Sequence, residues 1–265
     1  MKKLLIAVLL IHGFTNLAQE RPDSTFVEFL SLFPGKNITP SLQESILGIE
    51  GPFPEERSSF EQRTAQTIVR QTDNYILASV RYTCIAGGMC ESTELYSFSK
   101  QGEVLGNIQI SKDMGDCGFS DSAETAYFES DEILVVDVSK EFDCEADSVI
   151  YEKVAWHYYK IDPDGHLSML RSKELKTEEL YRNVSIELLK EEDLKQLSVE
   201  QLAKMRNTVF ATYGYRFKTT KWLTYFEKQA WYKPSTDIVT EENLNPIERI
   251  NMALIKRVEY VKKKG

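Results

Sequence analysis

Histidine is scarce in this 265-residue chain, which has only His12, His157 and His166. No H-E-x-x-H, G-x-S-x-G or glycine-rich phosphate loop occurs, so the usual signatures of zinc proteases, serine hydrolases and nucleotide binders are missing. His157 lies in an aromatic strand and reads as a strand residue; His166 follows a turn and reads as solvated. Cysteine is sparse too. None of the four is spaced as CxxC, the pattern a structural zinc site favours, and none stands in a nucleophile context. Beyond the N-terminus no apolar run approaches the ~20 residues of a membrane span. Positive charge is in deficit, with 32 Lys+Arg against 41 Asp+Glu and a formal net charge of −9. Broad attraction to nucleic acid or to an anionic membrane is excluded on that balance. No cofactor and no metal is implied.

What is present begins with a leader. Lys2 and Lys3 precede the apolar stretch from Leu4 to Ile11, then Gly13, Thr15, Asn16 and Ala18. This is the layout of a secretory signal peptide over residues 1–18, and it is too short to cross a bilayer. Cleavage after Ala18 would release a periplasmic or secreted protein. The first cysteine is Cys84, so no lipid anchor is expected at the cleavage region. In an oxidising compartment the even cysteine count reads as disulfides. Cys84 and Cys90 enclose a tight loop containing Gly87 and Gly88, and Cys117 and Cys144 would then pair with each other. Four cysteines allow three pairings, and spacing alone does not choose among them.

Charge and hydrophobic period divide the mature chain. Residues 19–174 carry 13 basic and 28 acidic side chains, whereas residues 175–265 carry 17 and 13. Near residue 175 the apolar period also changes from alternating to helical. The expectation is an α+β protein. An antiparallel all-β domain over residues 19–174, a sandwich or partly open barrel, precedes a small three-helix domain over residues 175–265.

In the acidic half, Phe26 to Phe33 reads as an amphipathic helical piece, followed by an irregular crossing through Pro40, Pro52 and Pro54. Strands follow at Tyr75 to Thr83, Glu94 to Ser99, Val104 to Ile110, Ala126 to Glu129, Ile133 to Val138 and Val154 to Ile161. The nearly all-apolar Ile133 to Val138 reads as a strand covered on both faces. Lys100 to Glu103 and Asp162 to Gly165 read as turns, with a last strand after the second. The acids Asp116, Asp121, Asp131, Glu132, Asp143 and Asp147 read as a solvated surface. Their spacing matches no EF-hand loop, and a carboxylate pair for glycoside hydrolysis would be recognisable only by geometry.

In the C-terminal part the helix ends are well marked. Ser198 with Gln201 makes a capping box, with Leu197 and Leu202 as its staple. Leu202, Met205, Val209 and Tyr213 line one face, and Gly214 is a left-handed stop. A second helix runs from Thr219 through Phe226. The third starts with Asn245 as cap, Pro246 at its first position and Glu248 at its third.

These pieces resemble a YARHG domain. The resemblance is carried by Glu191 to Leu194, Leu197 to Leu202, Met205 to Phe217, Tyr225 with Phe226, Trp231 to Pro234 and Leu244 to Asn251, and covers roughly residues 184–260. It implies a small extracellular bacterial module, found in exported proteins and beside peptidases. The eponymous Tyr-Ala-Arg-His-Gly stands here as Phe210-Ala211-Thr212-Tyr213-Gly214, so any chemistry of that Arg and His is absent. The module therefore reads as a structural or binding unit.

Aromatics concentrate there, from Tyr213 to Tyr232. Either they form a core of rings, or Tyr215, Trp231 and Tyr232 stack on a sugar or peptide while Arg216 contacts an anion. The leading expectation is a non-catalytic envelope protein that binds a protein partner or a cell-wall glycan or peptide. The alternatives are an envelope hydrolase with a carboxylate site in the β domain and an inhibitor or immunity-type protein with an acidic face.

Overall fold

The computed structural model describes residues 23–49, 61–84, 89–116, 118–146, 148–175 and 179–264. The leader expected over residues 1–18 lies outside them, as do Pro52, Pro54 and Cys117.

The N-terminal amphipathic piece is helix α1, Ser24–Leu30, capped by Asp23, whose side chain accepts from the Thr25 amide. Pro40 lies at the start of helix α2, Pro40–Leu47, where its missing N–H and fixed φ cost nothing. Thr39 caps this helix, and Gly48 ends it with φ +66°. The local signals for α2 were therefore in the sequence, where the prolines read instead as an irregular crossing.

Among the described residues before 176 lies one antiparallel sheet of nine strands, ordered as in the chain. Its strands are β1 Lys36–Asn37, β2 Glu61–Gln71, β3 Tyr75–Cys84, β4 Met89–Ser99, β5 Val104–Asp116, β6 Phe119–Glu129, β7 Glu132–Asp143, β8 Ser148–Ile161 and β9 Leu167–Leu175. The sheet stays open, with β1 and β9 as its edges, but it curls. The β8–β9 turn rests on Tyr75, and a Cβ added at Gly165 (φ +96°) would collide with that ring's stem. Asn74 Nδ2 donates to Pro163 O across the same junction at 3.0 Å. Cys84 and Cys90 are register partners and form a disulfide; Cys144 is disulfide-bonded as well.

The curl gives the sheet an inner and an outer face. Tyr75, Leu77, Leu95, Ile108, Ile133, Val135 and Ile161 form the inner core. On the outer face, α1 and α2 cover β2 to β4, with Phe26, Phe29 and Phe98 wholly buried. Ile133 and Val135 point inward while Leu134 and Val136 join the opposite core, so β7 is covered on both faces.

After β9 come α3 Glu179–Ile186, α4 Glu191–Gln196, α5 Val199–Thr212, α6 Thr220–Phe226 and α7 Pro246–Lys264. The three expected helices are α5, α6 and α7, joined here by two short ones. Ser198 and Gln201 form the capping box of α5. Asn245 and Glu248 bond reciprocally at the start of α7, at 2.8 and 2.9 Å. Leu202, Met205, Val209, Ile255 and Val258 pack these helices together.

The helical part also packs on the sheet. Leu134, Val136, Val154, Trp156 and Tyr158 of the outer face share one buried cluster with Ile247 of α7. Beside it, Arg249 donates to both Glu132 oxygens at 2.9 and 3.1 Å, and Tyr158 Oη donates to the same carboxylate at 2.6 Å.

Candidate functional site

Ring packing dominates the centre of the helical part. Phe226 is wholly buried, and its centroid lies 4.8 Å from Phe217, 4.9 Å from Tyr225 and 5.7 Å from Tyr232. Such offset and edge-on pairs add to the burial of the rings. Tyr232 belongs to this core. Its hydroxyl donates to Tyr215 O at 2.8 Å, and burial raises its pKa. Arg216 is exposed and paired with Asp237, Nη1 lying 3.0 and 3.1 Å from the two oxygens. Tyr215 and Trp231 are both half-buried but line different hollows. The four residues singled out for binding thus take separate positions: Tyr232 in the core, Arg216 in a surface ion pair, and Tyr215 and Trp231 on two sites.

The first hollow is a groove of about 380 Å³ beside α5. Phe210, Tyr215, Phe217 and Trp222 give it aromatic walls, and Asn207, Lys218 and Thr219 add polar groups. Its volume falls in the range of small-ligand sites. Asn207 is 5% exposed, yet among the described residues its Nδ2 has no hydrogen-bond partner. A buried amide left open is uncommon and calls for an acceptor from outside the fold. Arg206 is held in place by Glu259 at 3.2 Å. Among the described residues Lys218 makes no ion pair.

The second hollow, about 370 Å³, lies where β8 and β9 meet α5 and the segment around Trp231. Thr212, Tyr213 and Gly214, which stand where the family motif has Arg, His and Gly, line it. Gly214 has φ +75°, and a Cβ there would strike Ser235 Oγ and approach Lys233 O to 3.1 Å. Gly214→Ala is therefore expected to cost at least about 1–2 kcal/mol from the left-handed backbone alone, measurable by urea unfolding.

A wider concavity, about 850 Å³, lies elsewhere, on the inner face of β2 and β3. Its one charged lining residue, Arg81, is paired with Glu91 at 2.5 Å through Nη2, while its Nε has no partner among the described residues. Asp147 lies outside the described residues, and several of the other acids singled out from the sequence are engaged. Asp121 takes Lys112 and the Ser139 hydroxyl, Asp131 takes Lys160 at 3.6 Å, and Asp143 accepts from two backbone amides. His157 Nε2 lies 2.7 Å from Asp137, and His166 Nδ1 is 3.3 Å from Leu105 O. Among the described residues no group of three His, Cys, Asp or Glu is placed to hold a metal, and no helix is long and apolar enough to cross a membrane. From the sequence Asn207 stands only as one of the polar residues that remain in the module with Arg206 and Arg216, since nothing in an isolated Arg-Asn-Thr marks an unmet amide.

Residues 177–260, the C-terminal third of the chain, match the YARHG domain family. No curated protein and no solved structure matches the chain.

Proposed function

We propose that this chain, with its YARHG domain, is a non-catalytic binding protein of the bacterial envelope. On this reading it is exported by its N-terminal leader, and the groove beside α5 docks a protein partner or a cell-wall component. One observation carries it: an aromatic-walled groove where the Nδ2 of the buried Asn207, whose Oδ1 accepts from Arg206, has no partner among the described residues. Rings of this kind stack on sugar faces or apolar peptide side chains, while an amide donor fixes orientation. The disulfides fit an oxidising compartment.

Asn207→Leu separates binding from folding. It removes an amide whose open donor costs roughly 1–3 kcal/mol, so stability is expected to hold or rise slightly. Binding should fall at least tenfold. The assay is co-sedimentation of the purified mature chain with peptidoglycan sacculi, alongside capture from envelope extract, with melting temperature measured in parallel. Equal capture by the wild type and Asn207→Leu in both assays would refute the groove as the docking site.

A further inference from the structure

We propose that the second hollow, between the sheet and the helical module, is an anion site. Its ligand is a compact molecule bearing a carboxylate or phosphate, held by Lys173, Arg171 and the indole N–H of Trp156. This site is separate from the groove beside α5 and does not depend on it.

Register creates the arrangement. Trp156 pairs with Lys173 and Tyr158 with Arg171 across β8 and β9, so all four lie on the outer face. There the module's Thr212, Tyr213 and Trp231 complete the cleft. Trp156 is 1% exposed, yet among the described residues its Nε1 has no hydrogen-bond partner. Indole can only donate, so this N–H is open to an acceptor brought by a molecule bound in the cleft.

The cations around it lack counter-charges. Lys173 Nζ donates to Thr212 Oγ1 at 2.8 Å and lies 3.6 Å from the Tyr213 ring centroid, with no carboxylate in contact. Glu248 acts on it only through its field, because that carboxylate already accepts from Tyr213, Ser185 and Asn245. Desolvation draws the Lys173 ammonium down to about 8, so the group keeps its proton at neutral pH. Arg171 lies 5.8 Å over the Tyr158 ring, and neither it nor the exposed Lys233 has an ion pair among the described residues.

Among the described residues no Asp or Glu lines the cleft. Donors of one sign, converging in a partly desolvated space, select an oxyanion. The aromatic walls and the volume of about 370 Å³ leave room for a small body behind it.

The test follows the indole ¹H–¹⁵N resonances of the intact chain during titration at constant ionic strength. The probes are inorganic phosphate, succinate and N-acetylalanine. A saturable shift of the Trp156 indole, with Trp222 unmoved, is the expected result. Phosphate acting alone would assign the site to phosphate, and a carboxylate probe acting more strongly would assign it to an organic acid. Lys173→Met should abolish the response, and Arg171→Gln should weaken it at least tenfold. Asn207→Leu should leave it unchanged, so this site and the groove are tested separately. No saturable shift with any probe, or an undiminished one in Lys173→Met, would overturn the assignment.

Discussion

Replacing Glu248 with alanine is expected to destabilise the protein by about 3–5 kcal/mol, because three buried donors lose their acceptor at once. Glu248 is wholly buried. Tyr213 Oη and Ser185 Oγ donate to it at 2.6 and 2.7 Å, and the Asn245 amide does so at 2.9 Å. These groups come from three elements, so the carboxyl ties α3 and the end of α5 to the start of α7. Gln at this position keeps one oxygen for Tyr213 and Asn245, and the Ser185 hydroxyl can turn to accept from its amide. Glu248→Gln should therefore recover most of the loss.

The pH dependence gives a second handle on the same residue. Burial raises the Glu248 pKa above the ordinary 4.5. The unfolded chain thus releases this proton at lower pH than the folded one, and the group's contribution to stability, full below about 4.5, declines as pH rises through the folded-state value. Unfolding free energies measured upward from pH 4 should fall more steeply in the wild type than in Glu248→Gln. Equal slopes would mean that burial does not hold the Glu248 pKa above its ordinary value.

Trp156→Ala should cost about 3–5 kcal/mol, the range for removing a large aromatic from a packed core. Trp156 is 1% exposed in the cluster that also holds Ile247 of α7, so its loss opens a cavity between sheet and helices. Trp156→Phe should cost far less. It gives up some volume but also discards an indole N–H with no partner, a burden of about 1–3 kcal/mol. Chemical denaturation of both variants checks the ordering. Equal losses would contradict the cavity between sheet and helices as the source of the cost.

Legibility of the sequence followed the range of each signal. Caps and stops are local, and Ser198, Gly214 and Asn245-Pro246-Glu248 were readable because a few adjacent side chains bond their own backbone. The alternating apolar segments located the strand cores. Their ends were not visible. β5 runs to Asp116 where the apolar pattern stops at Ile110, and β6 begins at Phe119 where it starts at Ala126. The added residues pair as backbone ladder but carry polar side chains such as Lys112 and Asp121, which join each other rather than a core. The sites were the least legible part. Lys173 and Thr212 are 39 positions apart, and their meeting is decided by how α5 lies on β8 and β9. Arg216, the cation the sequence offers, is held by Asp237, while Lys173 and Arg171 sit in a strand whose pattern says nothing of a cleft.

The account centres on the sheet and the YARHG domain sharing one core, with the anion cleft at their seam. Differential scanning calorimetry of the mature chain tests this most directly. A single transition is expected, with calorimetric and van't Hoff enthalpies equal and with Glu248→Ala shifting all of it. Two resolved transitions, only one of them moved by Glu248→Ala, would contradict the shared core.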